Sequence, residues 1–320
     1  MPELPEVTTT TKKLNEILPS LKIVSVWTNY NSSYFYGKEN IKDPKYFAKF
    51  KKEAIGSKII SSYRIGKNVL IDIQKPKIKD KKTILIHMKM TGHVLYGKYK
   101  RAEIEEMVSG ERKKVNGWVP VDKGPLQDKF NQYIRLVFEL SNGNFLVLSD
   151  ARRFAKVCLI SDRVVKEFKD LKGLGPDPTE KEFNLKRFKE ILNKKPVGKI
   201  KSILMEQELI SGIGNIYSDE ALWMTEIHPE EKPSRLSSTE IKELLKNIKS
   251  VLKKGIDFGG DSTSDYRQPD GTPGNFQKHH KVYRRKNEEC LKPKCSGTIS
   301  RIVVGGRSAH FCDTHQKLKR

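Results

Sequence analysis

Ile210-Ser-Gly-Ile-Gly-Asn215 decides how the second half of this chain is read. The stretch interrupts a helical pattern and then hands it on. Residues 200–207 and 216–224 both carry helical periodicity, and the glycines supply the turn between them. A glycine turn that opens into a helix presents backbone N–H groups, so the segment is a candidate phosphate site with Lys199 and Lys201 just upstream. Asn215 is a candidate phosphate ligand; it equally suits an N-cap that closes on its own helix. Outward from the turn the pattern stays helical. Phe183, Arg187, Phe188, Ile191 and Leu192 share one helix face, and residues 239–253 suit another helix. Upstream, Leu174-Gly-Pro-Asp-Pro178 reads as a linker. Downstream, Gly259-Gly260 opens a polar loop that runs to Phe276.

Before the linker the period shortens. Residues 21–27, 58–63, 68–73, 83–88, 133–140, 144–148 and 156–160 are β-like runs, and Asn142-Gly143 between two of them signals a hairpin. A helix over 5–18 precedes them, with Val7, Leu14, Ile17 and Leu18 on one face. Its threonine run, Thr8 to Thr11, is a poor helix former, so tertiary packing must hold it. Residues 98–130 are charged, carry Gly110, Gly117 and Gly124-Pro125, and read as a surface insertion. The expected fold class is α+β and multidomain. An N-terminal β-sandwich or barrel with its helix covers 1–165, a linker 166–178, a helical domain 179–276 and a cysteine-rich segment 277–320.

A length of 320 residues accommodates two cores. The net charge of +23, from 62 Lys+Arg against 39 Asp+Glu, favours polyanions without regard to their sequence. No apolar run of about 18 residues exists, so no membrane span is expected. The N-terminus lacks the apolar core of a signal peptide, and no basic amphipathic helix suggests a membrane-surface role. A soluble, intracellular protein is expected, in cytoplasm or nucleus according to its source.

Cysteine usage is uneven. Cys158 lies alone in a strand-like run and reads as an inert buried thiol. Four residues separate Cys290 from Cys295, two separate Cys312 from His315, and sixteen lie between the pairs. Two short pairs closing on one ion match structural zinc, held by three thiolates and an imidazole. Residues 298–304 and 308–311 flank Gly305-Gly306 and suit a β-hairpin, which places Arg307 at its tip as a ligand-facing or merely solvated residue.

Other chemistry is legible at Met1-Pro2-Glu3-Leu4-Pro5-Glu6. Trimming of Met1 leaves Pro2 with a secondary amine, a nucleophile for a carbonyl-type carbon, and Glu3 and Glu6 stand within one turn to move protons. The same residues also fit an ordinary helix start with dipole-complementing acids. Lys67, Met90, Arg152 and Phe154, each alone, read as a turn lysine, a core or wedge methionine, a charge partner and a core aromatic.

Together these motifs resemble the formamidopyrimidine-DNA glycosylase and endonuclease VIII family. The resemblance runs from Pro2-Glu-Leu-Pro-Glu-Val7 through Gly66-Lys67, residues 87–92, 150–154 and 174–178. It is strongest over Gly212-Ile-Gly-Asn-Ile-Tyr217-Ser-Asp-Glu220, His228-Pro229, Gly259-Gly260, Pro269-Asp-Gly271 and residues 274–277, and it closes with Val282-Tyr-Arg284 and the cysteine segment with Gly306-Arg307. It implies a β-sandwich, a helix–two-turn–helix domain and a zinc-finger hairpin, with damaged DNA between the halves. It implies a bifunctional glycosylase and abasic-site lyase of base excision repair. Pro2 would form a Schiff base at the sugar C1′, Glu3 would handle the ring-opening proton, and Glu6 would orient amine and sugar. Lys67 would hold a phosphate and assist β-elimination, and Arg307 would grip phosphates and assist δ-elimination. Lys199 and Asn215 would hold backbone phosphates, and Met90, Arg152 and Phe154 would fill the gap left by the everted base. Cys290, Cys295, Cys312 and His315 would hold one structural zinc.

The chain also departs from that family. The first cysteine pair is more widely spaced than usual, and His315 stands where a cysteine is usual. Asn131-Gln132-Tyr133 replaces a histidine-rich DNA-contacting stretch, so no contact is assigned there. The loop over 259–276 resembles the purine-type, lesion-capping branch, which favours formamidopyrimidines, with oxidised pyrimidines as the other substrate class. Duplex DNA is favoured over single strands because a void-filling trio is useful only beside a partner base. A monomer suffices for one DNA site. The competing classes are a non-catalytic damage-sensing or architectural DNA-binding protein, against which Pro2, Glu3 and Lys67 argue, and a zinc-finger RNA-binding protein.

Overall fold

The computed structural model describes residues 1–319 except 77, 79, 109, 110, 162, 163 and 166. Two compact units result, and neither is continuous in the chain. The first comprises Met1–Pro2, Glu6–Phe168 and Asp261–Gly274; the second comprises Glu3–Pro5, Lys169–Gly260 and Asn275–Arg320. Among the described residues, no helix is long and apolar enough to cross a membrane.

Helix α1 spans Leu4–Ile17 and α2 spans Pro44–Ala54. The strands of the first unit are β1 (Ile23–Thr28), β2 (Lys58–Ile65), β3 (Asn68–Gln74), β4 (Lys82–His87), β5 (Gly92–Gly97), β6 (Tyr99–Val108), β7 (Glu111–Pro120), β8 (Ile134–Leu140), β9 (Phe145–Asp150) and β10 (Lys156–Ser161). They form two four-stranded antiparallel sheets, ordered β1-β8-β9-β5 and β10-β4-β3-β2, plus the separate β6–β7 hairpin. Alternate residues of each sheet turn inward: Val69, Ile71 and Ile73 from β3 with Ile84 and Ile86 from β4, Leu136, Phe138 and Leu140 from β8 with Leu146 and Leu148 from β9. Val7, Leu14 and Leu18 join that core, which is how packing offsets the weak helix propensity of the threonines. Within the helix, Thr11 donates its hydroxyl to the Val7 carbonyl at 3.0 Å, which satisfies that hydroxyl away from water.

The sandwich with an N-terminal helix is as expected, but three elements differ. Helix α2 is not among the expected elements, although its start is signalled: Asp43 accepts the Lys45 N–H at 2.9 Å and Pro44 takes the first helical position. Strand β5 is not among them either. It opens at Gly92, where a Cβ would stand 2.4 Å from the Met88 carbonyl oxygen, so only glycine permits the tight approach. The supposed surface insertion at 98–130 is built around a ten-pair hairpin rather than a loop, and its base is core. Tyr99 is buried with Leu95, Ile134, Val137 and Val147, while Trp118 and Leu126 pack against them. Gly110 lies outside the described residues.

The second unit contains α3 (Leu185–Asn193), α4 (Ile200–Met205), α5 (Asn215–Thr225), α6 (Ser238–Asp257) and the hairpin of β11 (Ile299–Val304) with β12 (Arg307–Cys312). Ser237 and Glu240 close a reciprocal capping box on α6. That helix buries Leu244, Ile248, Val251 and Leu252 against Ile216, Tyr217 and Leu222 of α5. Val304 pairs with Arg307, so Gly305 and Gly306 alone make the turn, at φ of 55° and 74°. Both angles are left-handed, which the two glycines accept without steric cost.

Candidate active site and metal centre

Glu3 belongs to the second unit, where its side chain is nearly fully buried. Its carboxylate accepts the Ile216 N–H at 3.0 Å and the Tyr217 N–H at 3.5 Å, and so ends α5 as an anion on a helix N-terminus. The glycine turn is cut to fit it. A Cβ on Gly214 would stand 2.3 Å from the Glu3 carboxyl carbon, and one on Gly212 would stand 2.7 Å from a Leu4 methyl. The Leu4 N–H donates to the Gly212 carbonyl at 3.0 Å.

This geometry corrects the reading of 210–215 as an exposed phosphate cradle. Ile210, Ser211 and Ile213 are buried, the Gly212 N–H is taken by Gln207 Oε1 at 2.9 Å, and the helix N–H groups at 216 and 217 go to Glu3. Asn215 is not the N-cap either; Gly214 is, and Asn215 begins the helix with its amide 3.4 Å from the Ser308 hydroxyl beside Arg307. Lys199 is half-exposed and pairs with Glu230. Lys201, by contrast, offers no surface charge: it is fully buried in an ion pair with Asp219.

Asp219 gathers further partners. Its Oδ2 accepts the His310 N–H at 3.0 Å and stands 3.1 Å from His310 Nδ1. Burial holds the Lys201 ammonium below its ordinary pKa, while the Asp219 and Glu3 carboxylates push it back up. Next to it, buried Glu220 accepts N–H groups of Lys281, Val282 and Tyr283 at 2.9–3.1 Å; burial still raises its pKa. Sequence reasoning missed Lys201, Asp219 and Glu220 as a group. The available signal was two acids inside the apolar run Ile216 to Trp223.

In the first unit Pro2 is buried and Met1 is exposed. Glu6 is buried, accepts the Asp261 N–H at 2.8 Å through its carboxylate and the Tyr266 hydroxyl at 3.1 Å through its backbone carbonyl. The segment 261–274 is tied into the same unit: the Tyr96 N–H donates to the Pro269 carbonyl at 2.7 Å, and Arg267 lies 3.1 Å from Asp128 over the Phe130 ring. Lys67 is buried in the β2–β3 turn, where Ile65 pairs with Asn68 and Gly66 takes φ 56°. Asn131, in the stretch to which no DNA contact is assigned, is buried. It meets His93 Nε2 at 2.9 Å and donates to the Pro125 and Gly271 carbonyls.

Met90 and Phe154 are 41% and 47% exposed. The Arg152 guanidinium stacks 4.4 Å above the Phe154 ring. Their two loops are joined: Thr91 donates to Asp150 Oδ1 at 2.6 Å and accepts the Arg152 N–H at 3.1 Å. Thus the two loops that carry exposed Met90, Arg152 and Phe154 are braced against each other through Thr91.

Arg307 stands exposed at the first position of β12. Further along, Cys290, Cys295, Cys312 and His315 bring ligand atoms within 4.8 Å of one another. The Cys295–Cys312 sulfurs are 3.6 Å apart, and His315 Nδ1 lies 3.4 Å and 3.7 Å from the Cys295 and Cys290 sulfurs. A tetrahedral ion with S and N ligands requires edges of about 3.5–3.8 Å, so the set fits a metal ion. A Cβ on Gly297 would strike the Cys312 sulfur at 2.5 Å, and the Trp223 indole N–H donates to the Cys290 sulfur at 3.4 Å.

Comparison with known proteins agrees with this geometry. The model of the formamidopyrimidine-DNA glycosylase N-terminal domain matches residues 1–157, and that of the formamidopyrimidine-DNA glycosylase H2TH domain matches 174–267. The chain is 32% identical over 319 residues to the formamidopyrimidine-DNA glycosylase of Pelotomaculum thermopropionicum, covering 100% of both. It is 33% identical over 312 residues to that of Lactococcus lactis, covering 98% of each. Among solved structures, Lactococcus lactis Fpg in complex with abasic-site DNA superposes with a TM-score of 0.76 at 30% identity, over 97% of each chain. The same protein with Fapy-dG DNA gives 0.75 at 30% identity, over 97% of this chain and 98% of that one.

Proposed function

The chain belongs to the formamidopyrimidine-DNA glycosylase family, whose members are DNA glycosylases and abasic-site lyases, and from that premise we propose how its own residues perform the reaction. The substrate is damaged DNA. Its lesion must leave the base stack before the sugar is within reach of a protein nucleophile. Met1 is removed, and the freed Pro2 amine attacks the sugar C1′. The bond from C1′ to the base breaks, the base leaves, and the sugar ring opens to an iminium on the proline nitrogen. Glu3 handles the proton at the ring oxygen. Glu6 orients the amine and the sugar.

The iminium acidifies C2′. Loss of a C2′ proton, assisted by Lys67, expels the 3′ phosphate in β-elimination; a second elimination, assisted by Arg307, expels the 5′ phosphate. Lys199 and Asn215 hold backbone phosphates, and Met90, Arg152 and Phe154 occupy the space of the everted base beside its orphaned partner. Formamidopyrimidines in duplex DNA are the favoured substrates, acted on by a monomer. The metal is one structural zinc: four protein ligands leave no position for substrate, so the ion stabilises the β11–β12 segment and takes no part in bond breaking.

The observation that carries this reading is the Glu3 clasp. A carboxylate directly after the candidate nucleophile is locked in one orientation by two backbone N–H groups, which an ordinary helix start does not require. The test is reductive trapping. The protein is incubated with an oligonucleotide carrying a formamidopyrimidine or an abasic site, and borohydride is added. A covalent adduct supports the reading; protein that binds the DNA yet yields no adduct with any lesion would instead be a damage-binding protein without chemistry.

A further inference from the structure

Resting on the reading of Met90, Arg152 and Phe154 as void-filling residues, we infer that Glu106 of strand β6 is a positioning residue for the Arg152–Phe154 loop. Arg153 stands between the two DNA-facing side chains. Its backbone takes φ 56°, left-handed and strained for a long side chain, so the conformation must be held from outside. Four contacts hold it. Arg153 Nη2 donates to Glu106 Oε1 at 2.6 Å, Nη1 donates to the Asn29 carbonyl at 3.1 Å, and its own carbonyl accepts Lys42 Nζ at 2.6 Å. Its N–H donates to the Asp150 carbonyl at 3.3 Å.

Glu106 does more than pair with Arg153. The same carboxylate oxygen pairs with Arg135 of β8, whose side chain is only 6% exposed. Arg135 Nε in turn donates to the Asp150 carbonyl at 3.1 Å, and the Asp150 carboxylate accepts from Thr91, the Tyr30 hydroxyl and the Ala155 N–H. One acid therefore bridges two arginines that would otherwise repel each other, and both lead to the loop. Although burial pushes Glu106 up, the two guanidiniums hold its carboxyl below the usual range, so it is an anion at neutral pH. The hairpin that resembles a surface decoration in the sequence thus reaches back to brace the surface that meets DNA.

The effect belongs to the duplex reaction, in which Arg152 meets a partner base. Cleavage of a preformed abasic site in single-stranded DNA needs no void-filling. The experiment compares wild type with Glu106→Gln and Glu106→Asp. It measures kcat/KM for a formamidopyrimidine in duplex opposite each of the normal bases, and borohydride trapping on a single-stranded abasic oligonucleotide. The expected result for Glu106→Gln is roughly a tenfold loss on duplex with flattened partner-base preference, and trapping within about twofold of wild type, as for a loop misplaced away from the chemistry. Glu106→Asp, which keeps the charge, should recover part of the loss and part of the preference. Unchanged duplex kinetics and preference in Glu106→Gln would overturn the assignment, as would equal losses on both substrates, which indicate general destabilisation. A wild type that traps on no substrate would strike the proposed function itself, a separately readable failure.

Discussion

Glu3 Oε1 accepts the backbone N–H of Ile216 at 3.0 Å, so the residue after the candidate nucleophile also satisfies an N–H in the first turn of helix α5. The relationship joins acid chemistry to helix stability, and the glycine turn makes it sensitive to a single methyl group.

Gly214→Ala should therefore behave as a lesion of Glu3. The added Cβ would stand 2.3 Å from the Glu3 carboxyl carbon, and the carboxylate must swing away from the helix. We expect kcat for excision to fall at least about 100-fold, the size typical of losing a positioned proton-transfer group, while DNA binding stays within a few-fold. Equal losses in binding and turnover, measured by titration and single-turnover kinetics, would show that the turn serves the DNA backbone instead.

That turn also marks where the sequence stops being legible. Helices α3 to α6 announce themselves through apolar periodicity, and the cysteine–histidine spacing announces a metal site, because both signals are local. Residues 210–215 carry a local signal too, and it reads as a free anion site. Its occupant lies 213 positions away in Glu3, and no local pattern shows that. Lys201 fails for a related reason: a lysine two residues after the exposed Lys199 reads as surface until its buried partner Asp219 is in place. Pro2 is legible as a candidate nucleophile from Met1–Glu6 alone, beside an ordinary helix-start reading, whereas Lys67 and Arg307 gain a role only through the joint resemblance of many motifs.

Lys201 and Asp219 should be costly to separate and cheaper to remove together. Lys201→Met leaves a buried carboxylate with His310 as its remaining cationic candidate, and a loss of about 3–5 kcal/mol is expected from denaturant unfolding. The double variant Lys201→Met/Asp219→Leu should lose less than the sum of the single variants. Additive losses would mean that the two side chains do not act as a pair.

His93 supplies a pH dependence. Burial holds its pKa down at about 4, against an ordinary value of about 6.5 in the unfolded chain. Between those values the unfolded state binds a proton that the folded state refuses. Stability from this group is thus complete above about pH 6.5 and is lost as pH falls toward 4, by up to about 3 kcal/mol. His93→Gln should flatten this part of the stability curve relative to wild type. An unchanged slope between pH 6.5 and 4 would remove His93 as its source.

Removal of the metal should act on the second unit first. Chelation, or Cys312→Ser, should loosen β11–β12, lower DNA affinity by at least about tenfold and leave the β-sandwich cooperative in unfolding. Loss of the sandwich transition at the same chelator concentration would contradict a local structural ion. One equivalent of zinc per chain, measured by elemental analysis, is the expected stoichiometry.

The Pro2 nitrogen, and no lysine, is expected to form the bond to the sugar. The most direct measurement is peptide mass spectrometry of the borohydride-trapped complex, run on Met1-free protein and on protein engineered to retain Met1. A single adduct at the Pro2 nitrogen is expected in the first and none in the second. An adduct at Lys67 or another lysine, or trapping that survives with Met1 in place, would contradict it.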